Sequence, residues 1–175
     1  MNETDILVNK VANSGLVTID LEQYYPKQDL IEFDIKPFLF RELILKELDF
    51  RKAIQEVDWK SFEGKILCVF CSVDAIIPKW AYMLIAKYAQ EHVADLQFGN
   101  KDQALLSLFE KTLRSVNWAI YKDQKIVIKG CGDLEVPASA YQTVCYLLTP
   151  FASSIMYGEP CSTVPIFKKK KAGIS

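Results

Sequence analysis

Two short apolar runs along the chain predict buried β-strands, and a helical pattern follows each of them. Residues 65–71 (KILCVFC) and 125–131 (KIVIKGC) are rich in branched and aromatic side chains, as is typical of strands inside a sheet. After a loop, a proline (Pro78 or Pro137) stands where helices often begin, because the first helical position needs no amide donor. Apolar residues then recur at helical spacing, so each segment predicts a strand followed by a helix.

The alternation of strands and helices continues outside these segments. Residues 94–98 and 153–157 predict short strands, and residues 102–116 carry an apolar stripe that predicts another helix. Alternation of this kind predicts an α/β fold with a mainly parallel sheet. Near the N-terminus, residues 15–21 and 30–35 alternate apolar and polar positions with a period of two. We therefore expect an N-terminal β-hairpin that extends or flanks the sheet.

Residues 37–57 allow two interpretations. Their apolar positions fit one long helix and two short helices equally well. If there are two helices, Asp49 is placed to cap the second.

The chain also repeats itself, which predicts an internal duplication. Many residues recur 59 positions later (109 − 50 = 118 − 59 = 59). The matched residues are Phe50, Lys52, Val57, Trp59, Asp74, Pro78, Ala81, Tyr82 and Gly99 with Phe109, Lys111, Val116, Trp118, Asp133, Pro137, Ala140, Tyr141 and Gly158. Lys65 and Cys71 match Lys125 and Cys131 at a distance of 60 (125 − 65 = 131 − 71 = 60), which predicts one residue gained before the strand and one lost after it. We expect two tandem repeats, 49–100 and 108–159, each with the order helix-strand-helix-strand.

Composition limits the class of protein. With 175 residues, 50% hydrophobic and 25% charged, the chain can form one globular domain over residues 1–175, with residues 168–175 as a flexible basic tail. The formal net charge of −1 argues against nucleic acid as a partner, and no apolar run approaches the length of a membrane span. Five cysteines, an odd number, in a chain without a recognisable secretory leader indicate reduced thiols and a cytoplasmic location.

Thiols and carboxylates follow both predicted strands. Cys71 and Asp74 come after the first, and Cys131 and Asp133 after the second, where open α/β sheets bind ligands. Cys161 would lie at the same edge of a parallel sheet, so Cys71, Cys131 and Cys161 are candidate metal ligands, although their spacing matches no standard zinc module. The simpler interpretation, which we favour, is that the aspartates cap helices and the cysteines are small core residues.

The segment 158–165 (GEPCSTVP) predicts a functional loop, because it combines an acid, a thiol and two hydroxyl groups between a glycine and a proline. Its candidate ligand-binding residues are Glu159, Cys161, Ser162 and Thr163, and its backbone amides could receive a small anion. A rigid connector at the sheet edge is an equally good interpretation.

Familiar catalytic motifs are missing from the sequence. Cys68 and Cys71 form a C-x-x-C spacing, but on a strand residues three apart point to opposite faces, so a redox pair is not expected. His92 is the only histidine, and its counterpart Phe151 cannot act as a base. No phosphate-binding or dinucleotide fingerprint occurs, so the cofactor and any reaction stay open.

Four strings resemble a family of bacterial proteins known only as domain of unknown function 2480. They are residues 14–21 (SGLVTIDL), 128–131 (IKGC), 138–141 (ASAY) and above all 154–165 (SIMYGEPCSTVP). The resemblance extends over about residues 8–170 and implies no reaction, cofactor or partner.

Two hypotheses about function follow from the sequence. The first is a non-catalytic domain that self-associates, as a homodimer, or binds a protein partner, since aromatic residues are abundant and catalytic motifs are missing. The second is an enzyme or a protein that binds a small molecule or metal, with a site of cysteines and aspartates at the seam between the repeats. We favour the first on the sequence alone.

Overall fold

The computed structural model describes residues 15–130 and 132–170, and the chain divides into two compact units. The inserted unit is Pro26–Leu108, and the split unit contains the described residues up to Tyr25 and from Phe109 onward. That the chain forms one domain stays a prediction.

The inserted unit is an α/β layer with a parallel sheet. Its helices and strands are β2 (Leu30–Asp34), α1 (Glu47–Glu56), β3 (Ile66–Phe70), α2 (Lys79–Ala89), β4 (Asp95–Phe98) and the first part of α3 (Lys101–Ser115). The strand order is β2-β3-β4, and both pairings are parallel.

One face of this sheet packs against α1 and α2. The side chains of Leu67 and Val69 on β3 meet Phe50 from α1 and Ile85 from α2 in one buried cluster. Trp59 closes the cluster, and its indole N–H donates to the carbonyl oxygen of Ile54 at 3.0 Å. Burying apolar surface in this way is the main stabilising contribution to such a unit.

The split unit has a mixed sheet. It is built from β1 (Leu16–Asp20), the end of α3, β5 (Lys125–Lys129), α4 (Ala138–Leu148), β6 (Ser154–Glu159) and β7 (Ser162–Lys168). The strand order is β1-β5-β6-β7, parallel except for the antiparallel pair of β6 and β7.

The predicted α/β class with mainly parallel pairing is confirmed, but the N-terminal β-hairpin is wrong. Strand β1 pairs in parallel with β5, and β2 pairs in parallel with β3, so the two N-terminal strands belong to different sheets. A period of two identifies a strand but does not identify its partner.

Strand register corrects the predicted one-residue gap between the copies. Ile66 lies opposite Asp95, and Lys125 lies opposite Ser154. Each member of the second pair stands 59 residues after its counterpart in the first (125 − 66 = 154 − 95 = 59). Cys71 therefore corresponds in register to Gly130 rather than to Cys131, because the distance of 59 holds through the strand. The tandem duplication itself stays a prediction.

The stretch 37–57 forms neither of the two predicted arrangements. A 3₁₀ turn covers Lys36–Phe38, an isolated bridge pairs Phe40 with Ile44, and α1 is the one α-helix in this stretch. The cap position of α1 is Lys46, and Asp49 lies in the first turn of the helix. A carboxylate there stabilises the helix, because it interacts favourably with the positive end of the helix dipole.

Candidate functional site

A cleft of about 750 Å³ opens at the carboxyl ends of β3 and β4 in the inserted unit. Two loops form its walls, one between β3 and α2 and the other between β4 and α3. Its lining residues are Phe70, Cys71, Ser72, Val73, Asp74, Ala75, Ile77, Lys79, Tyr82, Phe98, Gly99, Asn100 and Gln103. Ligands of open parallel sheets bind at this edge, which makes the cleft the leading candidate site.

The first wall is fixed by Asp34 at the end of β2. Its carboxylate accepts a hydrogen bond from the Ser72 amide at 3.0 Å and one from the Ser72 hydroxyl at 2.5 Å. It also accepts the amide of Lys36 at 2.9 Å. Burial alone would raise the pKa of Asp34, but the hydrogen bonds from Ser72 and Lys36 outweigh it and lower the pKa. Asp34 is therefore charged at neutral pH and holds the start of the cleft loop.

The second wall is fixed by reciprocal capping of α3. The amide of Asn100 donates to the Gln103 side chain at 3.1 Å, and the amide of Gln103 donates back to the Asn100 side chain at 3.0 Å. Gly99, with φ of +105°, makes the turn, and a Cβ there would lie 2.5 Å from the Gln103 side-chain oxygen. Because a larger residue would be both strained and obstructed, glycine is required at this turn.

Two aromatic rings border the cleft. Tyr82 on α2 and Phe98 at the end of β4 have ring centroids 5.3 Å apart. Burial, with a smaller contribution from nearby Cys71, raises the pKa of Tyr82. Phe98 is 74% exposed despite its contact with Tyr82, so much of its ring is open to a ligand.

A comparison with family models identifies the chain. The model described as "Protein of unknown function (DUF2480)" matches residues 5–169. The chain belongs to the DUF2480 family. Searches of curated proteins and of solved structures gave no significant match. The resemblance noted in the sequence is thus confirmed, while the chemistry of the DUF2480 chain has to be inferred from its own residues.

The predicted site residues of the DUF2480 chain are divided between the units. Cys71 and Asp74 both line the cleft of the inserted unit. The others that the structure describes belong to the split unit, and they are Asp133, Glu159, Cys161, Ser162 and Thr163. Cys131 lies outside the described residues. The predicted site at the seam between the repeats stays a prediction.

The predicted loop 158–165 is instead a tight antiparallel hairpin. Gly158 lies opposite Thr163, and Glu159 lies opposite Ser162, which leaves Cys161 exposed at the turn. Pro165 is accommodated within β7, which stands last in the strand order, where a missing amide hydrogen is tolerated. Lys168, predicted to begin the tail, ends β7, and residues 171–175 lie outside the described residues.

A charged group at the carboxyl ends of β1, β5 and β6 was missed by the sequence reasoning. The ammonium of Lys129 lies 3.2 Å from the carboxylate of Asp20 and 3.8 Å from that of Glu159. The hydrogen bond to Asp20 is the main reason why the pKa of Lys129 is raised. A shared L-x-x-x-D string could have drawn attention to Asp20 and Asp34, since it recurs after 14 residues (34 − 20 = 14).

The split unit has a smaller, apolar pocket of about 220 Å³ between α4 and its sheet. Its lining residues are Ile128, Tyr141, Gln142, Cys145, Ile155, Met156, Tyr157 and Ile166. The rings of Tyr141 and Tyr157 lie 5.6 Å apart and occupy the positions 59 residues after Tyr82 and Phe98. An aromatic pair thus borders a cavity in each unit.

The predicted metal site stays a prediction, because Cys131 lies outside the described residues. Across residues 15–130 and 132–170, no three histidine, cysteine, aspartate or glutamate side chains lie close enough to hold an ion. Cys68 is fully buried and Cys71 half-buried, and both are free thiols. Burial, and then the charge of Glu32, raises the pKa of Cys68, which keeps it protonated and unreactive.

The same described part of the chain contains no helix long and apolar enough to cross a membrane. The predicted cytoplasmic location stays a prediction.

Proposed function

We propose that the DUF2480 chain binds a small molecule in the cleft of the inserted unit. One observation carries the proposal: a cleft of about 750 Å³ lies at the carboxyl ends of adjacent parallel strands and is lined by Cys71 and Asp74. Its size falls within the range of about 300–1,000 Å³ that is usual for ligand sites. We propose binding and assign no reaction.

The lining has the mixture of groups that ligand sites use. Phe70, Ile77 and Phe98 supply apolar surface, while Asp74 and Asn100 supply polar atoms that can orient a ligand. Both walls are fixed by hydrogen bonds, the first between Ser72 and Asp34 and the second within the cap of α3. A preorganised site of this kind loses less conformational entropy when a ligand binds.

Native mass spectrometry of the full, untagged chain, incubated with the low-molecular-weight fraction of a cell extract, tests this function. We expect a retained small organic molecule that Asp74→Ala loses. The matched control is Asp58→Ala, because Asp58 is exposed and outside the cleft lining. Retention of no molecule, or equal retention by both variants, would contradict the proposal.

Self-association as a homodimer is a second candidate, favoured by the apolar surface of residues 40–48. Leu43 and Leu48 are 62% and 82% exposed, and Phe40 and Ile44 beside them are also exposed. Consecutive exposed apolar residues are more typical of an interface than isolated ones are. A second copy is the occupant we propose, because two-fold dimers are the commonest oligomers.

Analytical ultracentrifugation over a concentration series tests the dimer. We expect Leu43→Asp with Leu48→Asp to shift the chain from dimer to monomer. The matched control is Met83→Asp, since Met83 is 72% exposed on α2 and lies outside residues 40–48. A wild-type chain that remains monomeric at every concentration would exclude this function.

We also infer that the two units are duplicated copies, one of which interrupts the other. Equal strand registers support this, and so does a hydrogen bond that occurs in both units. The indole N–H of Trp118 donates to the carbonyl oxygen of Leu113 at 2.8 Å, and the Trp59 indole makes the same bond to Ile54, 59 residues earlier. Since each bond is buried, we expect Trp59→Phe and Trp118→Phe each to lower the free energy of unfolding by about 1 kcal/mol. Clearly unequal losses in urea unfolding would count against equivalent roles.

A further inference from the structure

We propose that the cleft of the inserted unit is selective for a flat, neutral heteroaromatic ring, such as a nucleobase or a nicotinamide, stacked on Phe98. The inference rests on the proposed small-molecule function and adds the chemical class of the ligand. It comes from the exposure of one ring, the polar side chains that line the same cleft and the net charge of that lining.

The exposed ring is the first element of the inference. Phe98 ends β4 and is 74% exposed, although its neighbour Leu96 on the same face of the strand packs against the core cluster. Tyr82 contacts the Phe98 ring at a tilt of 53° and so supports its orientation without covering it. A supported aromatic ring that is open to a cleft can stack on a flat ligand, because the faces of both rings leave water together.

The corresponding ring of the split unit, which borders the smaller pocket, is less exposed than Phe98. Tyr157 stands 59 residues after Phe98 and is 41% exposed. Strand β7 lies beside it, with Val164 directly opposite Tyr157. Among the described residues, β4 has β3 as its one strand partner, so Phe98 has no such cover. The greater exposure of Phe98 therefore follows from the position of β4 at the edge of its sheet.

Polar side chains in the same cleft suit the edge of a heterocycle. The Asp74 carboxylate accepts hydrogen bonds, and the Asn100 side chain carries a donor in addition to the oxygen that caps α3. Ring nitrogens and exocyclic amino or amide groups would satisfy both. A purely hydrocarbon ring would leave these polar atoms unpaired in the bound state, which lowers affinity.

The charge of the lining argues for a neutral ligand. Asp74 and Lys79 are the acidic and the basic residue among the side chains that line the cleft, so their formal charges cancel (−1 + 1 = 0). A polyphosphate would need several cationic groups, whereas a base, a nucleoside or a free amide of a flat ring would not.

Calorimetric titration of the full chain with adenine and nicotinamide, each at millimolar concentration, tests the inference. The matched probe is cyclohexanecarboxamide, which keeps the amide of nicotinamide but replaces its flat ring with a puckered saturated ring. We expect at least one flat probe to bind, with cyclohexanecarboxamide bound more weakly than nicotinamide. Phe98→Leu should weaken the flat probe about 5- to 150-fold, while Phe98→Tyr retains binding because its ring can still stack. Met83→Ala, which changes an exposed apolar residue outside the cleft lining, should leave binding unchanged.

Two contrary results are distinguishable. If neither flat probe binds better than cyclohexanecarboxamide while the chain still retains a small molecule from the extract, or if Phe98→Leu has no effect while Asp74→Ala abolishes binding, the ligand class is wrong and the cleft still binds small molecules. If no flat probe binds and the chain retains no small molecule from the extract, both the ligand class and the proposed function fail. Circular dichroism of each variant confirms that any loss of binding occurs in a folded chain.

Discussion

Removal of the Asp34 carboxylate should loosen the cleft loop and destabilise the chain in a pH-dependent way. In the native chain this carboxylate accepts hydrogen bonds from the Ser72 amide and hydroxyl and from the Lys36 amide. Asp34→Ala leaves all of these donors to water. The substitution therefore tests whether Asp34 on β2 holds the loop between β3 and α2 in place.

The size of the effect follows from these bonds. A hydrogen bond to a charged group contributes about 1.5–3 kcal/mol when buried and less where water can replace the acceptor. Asp34 is half-buried, so we expect Asp34→Ala to lower the free energy of unfolding by about 2 kcal/mol at pH 7. Because folding lowers the pKa of Asp34 from the ordinary value of 3.8, its charge stabilises the fold at pH values above 3.8. That contribution is lost as the pH falls through the lowered pKa.

Urea unfolding of the wild type and Asp34→Ala at pH 7 and at decreasing pH measures this difference. We expect it to be largest at neutral pH and to shrink below about pH 4, and we expect the Ser72 amide to exchange its hydrogen faster in Asp34→Ala. Asp58→Ala is the control, since the Asp58 side chain makes no capping hydrogen bond within the described residues. Equal losses in both variants, or a difference independent of pH, would refute the reasoning.

Three further substitutions or reactions test local features. Gly158→Ala should lower the free energy of unfolding, measured in urea, by about 1 kcal/mol more than Gly64→Ala does. Both glycines have positive φ, but only at Gly158 would the new Cβ lie 2.6 Å from a backbone oxygen. Equal losses in the two variants would contradict this. Glu42→Gly should raise the melting temperature, because Glu42 has φ of +59°, a backbone conformation that strains an L side chain but not glycine. An unchanged or lower melting temperature would count against strain at this position. In the native chain a maleimide should label Cys71 at least tenfold faster than fully buried Cys68, and comparable rates by peptide mass spectrometry would be incompatible with the described burial.

Local patterns predicted the helices and strands well but not their partners. The apolar runs and helix-starting prolines identified β3, β5, α2 and α4, because burial and chain geometry act over a few residues. The partners of β1 and β2 depend on contacts with strands far away in the chain, at β5 and β3. An alternating pattern is the same for a hairpin and for the first strand of a parallel sheet, so it could not decide between them.

The candidate site was predictable to the same extent. Cys71 and Asp74 were identified because ligands bind after parallel strands, and both line the cleft. Asp34 was missed because, in a hairpin, the end of β2 would not lie beside the end of β3. Phe98 was interpreted as a strand residue only, since a sequence does not reveal that a ring at the end of a strand is left uncovered.

Two-dimensional NMR of the isotopically labelled full chain, titrated with the ligand retained in native mass spectrometry, tests the central claim most directly. We predict that the amides of residues 71–75 and 98–100 shift together in a saturable way, while the amides of β7 stay unchanged. Shifts confined to other parts of the chain, or no saturable shift at the two cleft walls, would contradict the claim that the cleft of the inserted unit is the binding site.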